Sequence, residues 1–247
     1  MPNINYWDYN YALWLFHLLK NSGLTDEAAA GVLGNIYQES AAICPFCVEG
    51  HEGSYTDQWD ITVNTVRPST RNEFMKQTYT SGGAKGYGLA QWTESSRKGA
   101  YWDYTYQDGS ITKDHTWLGD TIRDGHYLIV DLSNWSMHTS CDENYWTADH
   151  KTTWQWLTDP NVSLSDAVLA VLMIYERPYL ASHGQASVEY NLRYNYAYKI
   201  YQDMVGQPPP DPPTPPGPTP PPQPVTELEA VSALIPFICR RKRRKFL

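Results

Sequence analysis

No stretch of the 247 residues reaches the ~18 apolar residues that a membrane-spanning helix needs. The opening Met1-Pro2-Asn3-Ile4-Asn5-Tyr6-Trp7-Asp8 lacks a basic region followed by an apolar run, so no secretory signal is expected. Cysteine is scarce. Cys44-Pro45-Phe46-Cys47 is one CxxC without a second pair, and Cys141 and Cys239 stand apart. Basic residues are outnumbered, 19 Lys+Arg against 27 Asp+Glu, and they are unevenly spread. Residues 1–206 carry 13 and 24, or −11, whereas residues 207–247 carry 6 and 3, or +3. An acidic body of this kind gives no footing for nucleic-acid binding. Phenylalanine is also sparse, 5 against 10 Trp and 19 Tyr. A surplus of rings with polar edges favours a wet groove able to stack on sugars, while part of the same set must fill the core.

What is present divides the chain in three. Hydrophobic content of 41% is enough for a globular core, expected over residues 1–206. Residues 207–224 hold 12 of the 18 prolines and form an extended spacer, ~55 Å long at ~3.1 Å per residue. Residues 225–247 join a short apolar stretch to Arg240-Arg241-Lys242-Arg243-Arg244-Lys245. That pattern fits an anionic membrane surface or another anionic polymer, and equally a solvated end.

The body reads as mainly α. Residues 9–22 place Leu13, Phe16 and Leu19 near helical spacing, with Gly23 as a stop. Thr25 reads as an N-cap, with Asp26 and Glu27 in the first turn. Residues 41–85 read as loop, with a short strand or turn at 59–66. Helices are expected over 95–106, 116–131, 166–176 (capped by Ser165) and 184–204.

The segment from Ala28 to Ser40 is the richest in chemistry. Val32, Ile36 and Glu39 recur at helical spacing, which puts a carboxylate on an apolar stripe. Desolvating its charged form costs several kcal/mol unless it is paired or protonated. A carboxylic acid that holds its proton near neutral pH is what a glycosidase uses on a leaving oxygen. A partly exposed last-turn glutamate or a buried hydrogen-bonder is the plain alternative. Gly86-Tyr87-Gly88-Leu89-Ala90-Gln91-Trp92-Thr93 is too rich in glycine for a helix or central strand, and it can bring backbone close to a ligand.

Gln38-Glu39-Ser40 and Gly86 through Trp92 resemble the Glu-Ser and Gly-Leu-x-Gln motifs of the lysozyme-like superfamily. The likeness is closest to phage tail lysozymes and endolysins, which are related to goose-type lysozymes and soluble lytic transglycosylases. Met173-Ile174-Tyr175-Glu176-Arg177-Pro178 is similar to a late family helix ending in Glu-Arg-Pro, and 193–201 resembles the closing helix. The four segments come in the family's order and cover roughly residues 6–204.

The resemblance implies a lysozyme-like, α-rich catalytic domain that cuts the β-1,4 bond between N-acetylmuramic acid and N-acetylglucosamine of peptidoglycan, with no required cofactor. It makes Glu39 the general acid. Gln91 would bind an N-acetyl group or position water, and Tyr87 and Trp92 would line the sugar groove. Ser40 would fix the helix end. A second carboxylate, if one is used, is Asp57, Asp60 or Glu176; Glu176 could instead be a structural partner of Arg177 or Arg193. Related transglycosylases manage with one glutamate and form an anhydro product. Cys44, Cys47 and Cys141 with His51, His138 or His150 could build a structural zinc site, which the family pattern does not require; thiols or a disulfide are the alternative. Two rival classes are a cysteine peptidase based on Cys141 and His150, and a non-enzymatic wall-binding module. The first lacks a nucleophile at a helix start. The second has no use for an isolated carboxylate beside a glycine-rich turn.

Overall fold

The computed structural model describes residues 4–40, 42–45, 70–76, 86–92, 95–105, 117–134, 152–176 and 186–211. The chain separates into a compact unit Met1–Thr214 and a second, Pro215–Leu247, the latter outside the described residues. The described part is helix-rich, with no strand among those residues, and no helix there is long and apolar enough to cross a membrane.

Helix α1 (Tyr9–Asn21) is capped by Asp8, whose carboxylate accepts from the Tyr11 N–H at 3.0 Å. It ends where Gly23 takes φ +102°, a left-handed value that suits a residue without Cβ. Helix α2 (Asp26–Glu39) starts at Thr25, which accepts from the Ala28 N–H at 3.1 Å. Asp26 pairs with Lys20 at 2.5 Å across the turn. Both ends of the first connection therefore follow from local chemistry, as the sequence leads one to expect.

α2 is not amphipathic. Every residue from Ala28 to Ile36 is buried, because α1, α7 (Leu164–Ala170), a π-helical segment (Val171–Glu176) and α8 (Ala186–Met204) all pack on it. The apolar stripe inferred from Val32 and Ile36 is one side of a helix that is enclosed all round. Small residues make this enclosure possible. A Cβ on Gly31 would lie 2.6 Å from the Ala167 Cβ, and one on Gly34 2.7 Å from the Ala197 backbone N. The α7 and α8 backbones thus both come within reach of α2 at its glycines.

The other described helices are α3 (Arg71–Lys76), α4 (Ser95–Asp103), α5 (Trp117–Asn134) and α6 (Thr153–Leu157). α3 packs on α4, α4 on α5, and α5 on α1 and α6. α3 interrupts a region read from sequence as loop; the expected strand at 59–66 lies outside the described residues. α6 carries a capping box, Thr152 and Gln155 each bonding the other's backbone N–H. The helix expected at 166–176 begins earlier, because Ser163 rather than Ser165 is its cap. Ser163 Oγ accepts from the Asp166 N–H at 3.1 Å, whereas Ser165 Oγ meets the Tyr190 hydroxyl at 2.9 Å. From Val171 the helix widens to π geometry, a feature frequent at functional sites.

Candidate active site

Glu39 is the last residue of α2, at the point where the helix leaves the core. Its side chain is 22% exposed. Ser40 closes the helix: its N–H and its Oγ both donate to the Ile36 carbonyl, at 2.9 and 2.8 Å. Beyond it the backbone is strained, with Ala42 at φ +104° and Ile43 at φ +64°. Such values are rare for any residue with a Cβ and rarer for a β-branched one, and they cluster where a chain is held for function. The Trp7 N–H donates to the Ala42 carbonyl at 2.9 Å, and Ile43 is fully buried, so the core holds this turn.

Across from Glu39 stands Arg193 of α8, whose side chain is only 2% exposed. Its Nη2 donates to Glu39 Oε1. Nη1 donates to the Asn35 carbonyl and Asn35 Oδ1 at 3.2 and 3.3 Å, and Nε reaches Glu189 Oε2 at 3.4 Å. Asn35, fully buried, is itself tied to the Gly31 and Val168 carbonyls at 2.9 and 3.2 Å. The planar fork of an arginine suits this use, since its donors point in fixed directions. Glu39 Oε2 makes no hydrogen bond among the described residues. One oxygen is thus anchored by a buried arginine.

The glycine-rich segment is a tight turn clamped from α5. The Trp92 N–H donates to the Tyr87 carbonyl at 3.0 Å, and the Leu89 N–H donates to Asp124 Oδ2 at 3.1 Å. Gly88 has φ +76°, and a Cβ there would fall 2.6 Å from Asp124 Oδ2, so glycine is required twice over. Gln91, at φ +47°, donates from Nε2 to the Gly88 carbonyl at 2.8 Å. Within Gly86–Trp92 only Gln91 is not buried.

That burial corrects the expectation for the two aromatic residues. Tyr87 and Trp92, 1% and 0% exposed, belong to the core and offer no ring face to a sugar. Tyr87 packs edge-on to Phe74, and Trp92 stacks on Tyr101 with centroids 5.0 Å apart. The Trp92 Nε1–H donates to Asp131 Oδ2 at 2.9 Å. The same oxygen accepts from Arg97 Nε and Nη2 at 3.1 and 2.6 Å and from the Tyr175 hydroxyl at 2.6 Å. The Arg97 guanidinium also lies over the Tyr175 ring, 4.6 Å from its centroid. Asp131 therefore joins the glycine-rich turn, α4, α5 and the π-helical segment. Nearby, burial and then the Asp131 carboxylate push the Tyr127 hydroxyl above its ordinary value, against a smaller opposite effect of Arg97.

The remaining expected residues divide plainly. Asp57, Asp60, Cys47, Cys141, His51, His138 and His150 lie outside the described residues, as does the side chain of Glu176. Cys44 is buried, and no cluster of three or more metal-ligating side chains occurs among the described residues. Sequence reasoning named Arg193 only as a possible partner of Glu176 and passed over Glu189 and Asn35. The i, i+4 spacing of Glu189 and Arg193 was the one local signal for this cluster.

The helical enclosure of α2, with a carboxylate held at its end, has the build of a lysozyme-like domain. The model of the phage tail lysozyme family matches residues 10–204, most of the chain, and the protein belongs to that family. Membership puts it among lysozyme-type, peptidoglycan-degrading proteins of bacteriophages. Among curated proteins, no match was found.

Proposed function

We propose that the protein is a glycosidase that cleaves the β-1,4 bond between N-acetylmuramic acid and N-acetylglucosamine, with Glu39 as general acid. The observation that carries this reading is the placement of Glu39. It terminates an otherwise enclosed helix, keeps 22% of its side chain in solvent, and has one oxygen anchored by buried Arg193. A proton donor needs that combination of access and fixed direction. Gln91, the one part-exposed residue of its turn, is proposed to contact an N-acetyl group or the attacking water. Tyr87 and Trp92 support this turn from behind. No cofactor is required by this chemistry, and the substrate is the glycan of the bacterial wall. Asp57, Asp60 and Glu176 remain the candidates for a second carboxylate that would activate water or capture the sugar cation.

We further propose that the protein acts on the wall after release from the host cytoplasm or as part of a virion, either opening the wall locally or lysing the cell. The basic run 240–245 would keep it near an anionic membrane or wall polymer.

Mass spectrometry of purified peptidoglycan after digestion by wild type and Glu39→Gln tests the reading. Reducing muropeptides from wild type alone support hydrolysis, and the new reducing sugar identifies the bond. Anhydromuramic ends would make the reaction a lytic transglycosylation by the same acid. Equal cleavage by the mutant would overturn the assignment of Glu39.

A further inference from the structure

The Arg193 guanidinium serves two carboxylates at once: Nη2 bonds Glu39 and Nε bonds Glu189. We infer that Glu189 is a positioning counter-ion, whose negative charge balances Arg193 so that Glu39 can hold its proton beside a buried cation. The inference rests on the general-acid role proposed for Glu39.

A general acid must be neutral before it acts, yet a cation within hydrogen-bond reach favours the carboxylate. With Glu39 and Arg193 alone, protonating Glu39 would leave a net +1 charge on a guanidinium that is 2% exposed. An uncompensated buried charge of that kind is strongly disfavoured. Glu189 changes the count. With it, the cluster holds one cation and two carboxylates, so protonating Glu39 takes it from −1 to neutral. The acid-ready form becomes the one without net charge.

Two features keep Glu189 and the guanidinium in place whatever the state of Glu39. Glu189 and Arg193 sit four residues apart on α8, so one helix face presents both. Asn35 takes the Nη1 end through its carbonyl and its side-chain oxygen, so Arg193 does not depend on Glu39 for its position.

Other described groups on the elements around α2 are engaged elsewhere. Lys20 of α1 pairs with Asp26, and Glu27 accepts from the Tyr201 hydroxyl at 3.2 Å. His17 of α1 meets the Gln207 carbonyl at 3.0 Å. On α7, Asp166 accepts from Ser163, and on the π-helical segment the Tyr175 hydroxyl donates to Asp131. On α8, Lys199 pairs with Asp203, Tyr190 meets Ser165, and Tyr196 packs on Tyr37 of α2. Among the described residues, Arg193 is the charge bonded to Glu39, and Glu189 is the carboxylate that shares Arg193 with it.

The test is the pH dependence of peptidoglycan cleavage by the full chain, wild type against Glu189→Gln, with folding checked by circular dichroism and thermal melting. Loss of the Glu189 charge leaves Arg193 uncompensated, and this favours the Glu39 carboxylate. The alkaline limb of the kcat profile should move to lower pH by about one unit. Activity on the acid side of the wild-type limb should stay within about twofold, while on its alkaline side it falls roughly tenfold. KM should not change. Glu189→Asp keeps the charge and should leave the limb where it is. Should Glu189→Gln fail to fold, Glu189→Ser removes the same charge with less bulk and must give the same displacement. A uniform loss across all pH values, or an unshifted limb, overturns the counter-ion role. Glu39→Gln is measured in parallel: if it still cleaves, the general-acid reading itself fails. If it is inactive while the Glu189→Gln limb stays put, only the counter-ion inference is lost.

Discussion

Two buried polar clusters in this domain are built with opposite surpluses. At Asp131 one carboxylate oxygen receives four hydrogen bonds, from Arg97 twice, Trp92 and Tyr175. At Arg193 one guanidinium is divided among two carboxylates and an asparagine. The Asp131 cluster gathers four donor contacts on the one oxygen Oδ2. The Arg193 cluster shares one guanidinium between two carboxylates, and Glu39 Oε2 makes no hydrogen bond among the described residues. A surplus of donors locks a carboxylate; a surplus of acceptors keeps one in play. The first arrangement holds the glycine-rich turn against the core, and the second faces outward at the end of α2.

The contrast can be broken most severely at Glu39. Glu39→Gln should lower kcat by ~10²–10⁴-fold, the usual worth of general acid catalysis. Its resistance to urea should change by no more than about 1 kcal/mol, since the amide oxygen can still accept from Arg193. Rates on purified peptidoglycan together with urea titration check both halves. Asp131→Ala should do the reverse. Removing the carboxylate breaks a buried ion pair and takes the shared acceptor from Arg97, Trp92 and Tyr175, with an expected loss of ~3–5 kcal/mol in the urea midpoint analysis. A loss under 1 kcal/mol would mean that the cluster is not the lock described.

A gentler change separates core from groove. Trp92→Phe keeps an aromatic ring but removes the rest of the indole and its N–H to Asp131, which should cost about 1–3 kcal/mol in stability. KM for peptidoglycan should stay within about twofold of wild type. A marked rise in KM at unchanged melting temperature would return Trp92 to the sugar-binding surface. The smallest effect concerns pH. Burial raises the Tyr11 and Tyr127 hydroxyls above their ordinary value of 10.0, so their neutral forms favour the fold. The stability they contribute is complete below pH 10 and is lost as pH rises above it. Thermal melting between pH 8 and 11 should show a midpoint that begins to fall only near pH 10; a fall starting at pH 8 would point to other groups.

How much of this was open to reading depends on the range of each interaction. The Gly23 stop, the Thr25 cap and the Glu39 terminus rest on contacts within a few residues, and the chain spells them out. Ser163-x-x-Asp166 and Thr152-x-x-Gln155 were equally local signals; the first was displaced by the nearby Ser165 and the second overlooked. The fully enclosed α2 could be suspected from Ala28-Ala29-Ala30-Gly31 and Gly34, yet which backbones approach those glycines is a tertiary fact. Trp92 was misplaced because a ring with one polar edge suits a sugar groove and a core equally, and only Asp131, 39 residues away, decides between them. Glu189 stayed hidden for the same reason, since its meaning depends on where Arg193 points.

The bond between Glu39 and Arg193 spans 154 positions of the chain. A ribosome adding ~5–20 residues per second needs roughly 8–30 s to travel that distance. Through that interval α2 can form, but its terminal glutamate lacks the guanidinium that orients it. The bond therefore waits for α8, and a nascent or truncated chain ending before that helix carries Glu39 without its guanidinium partner.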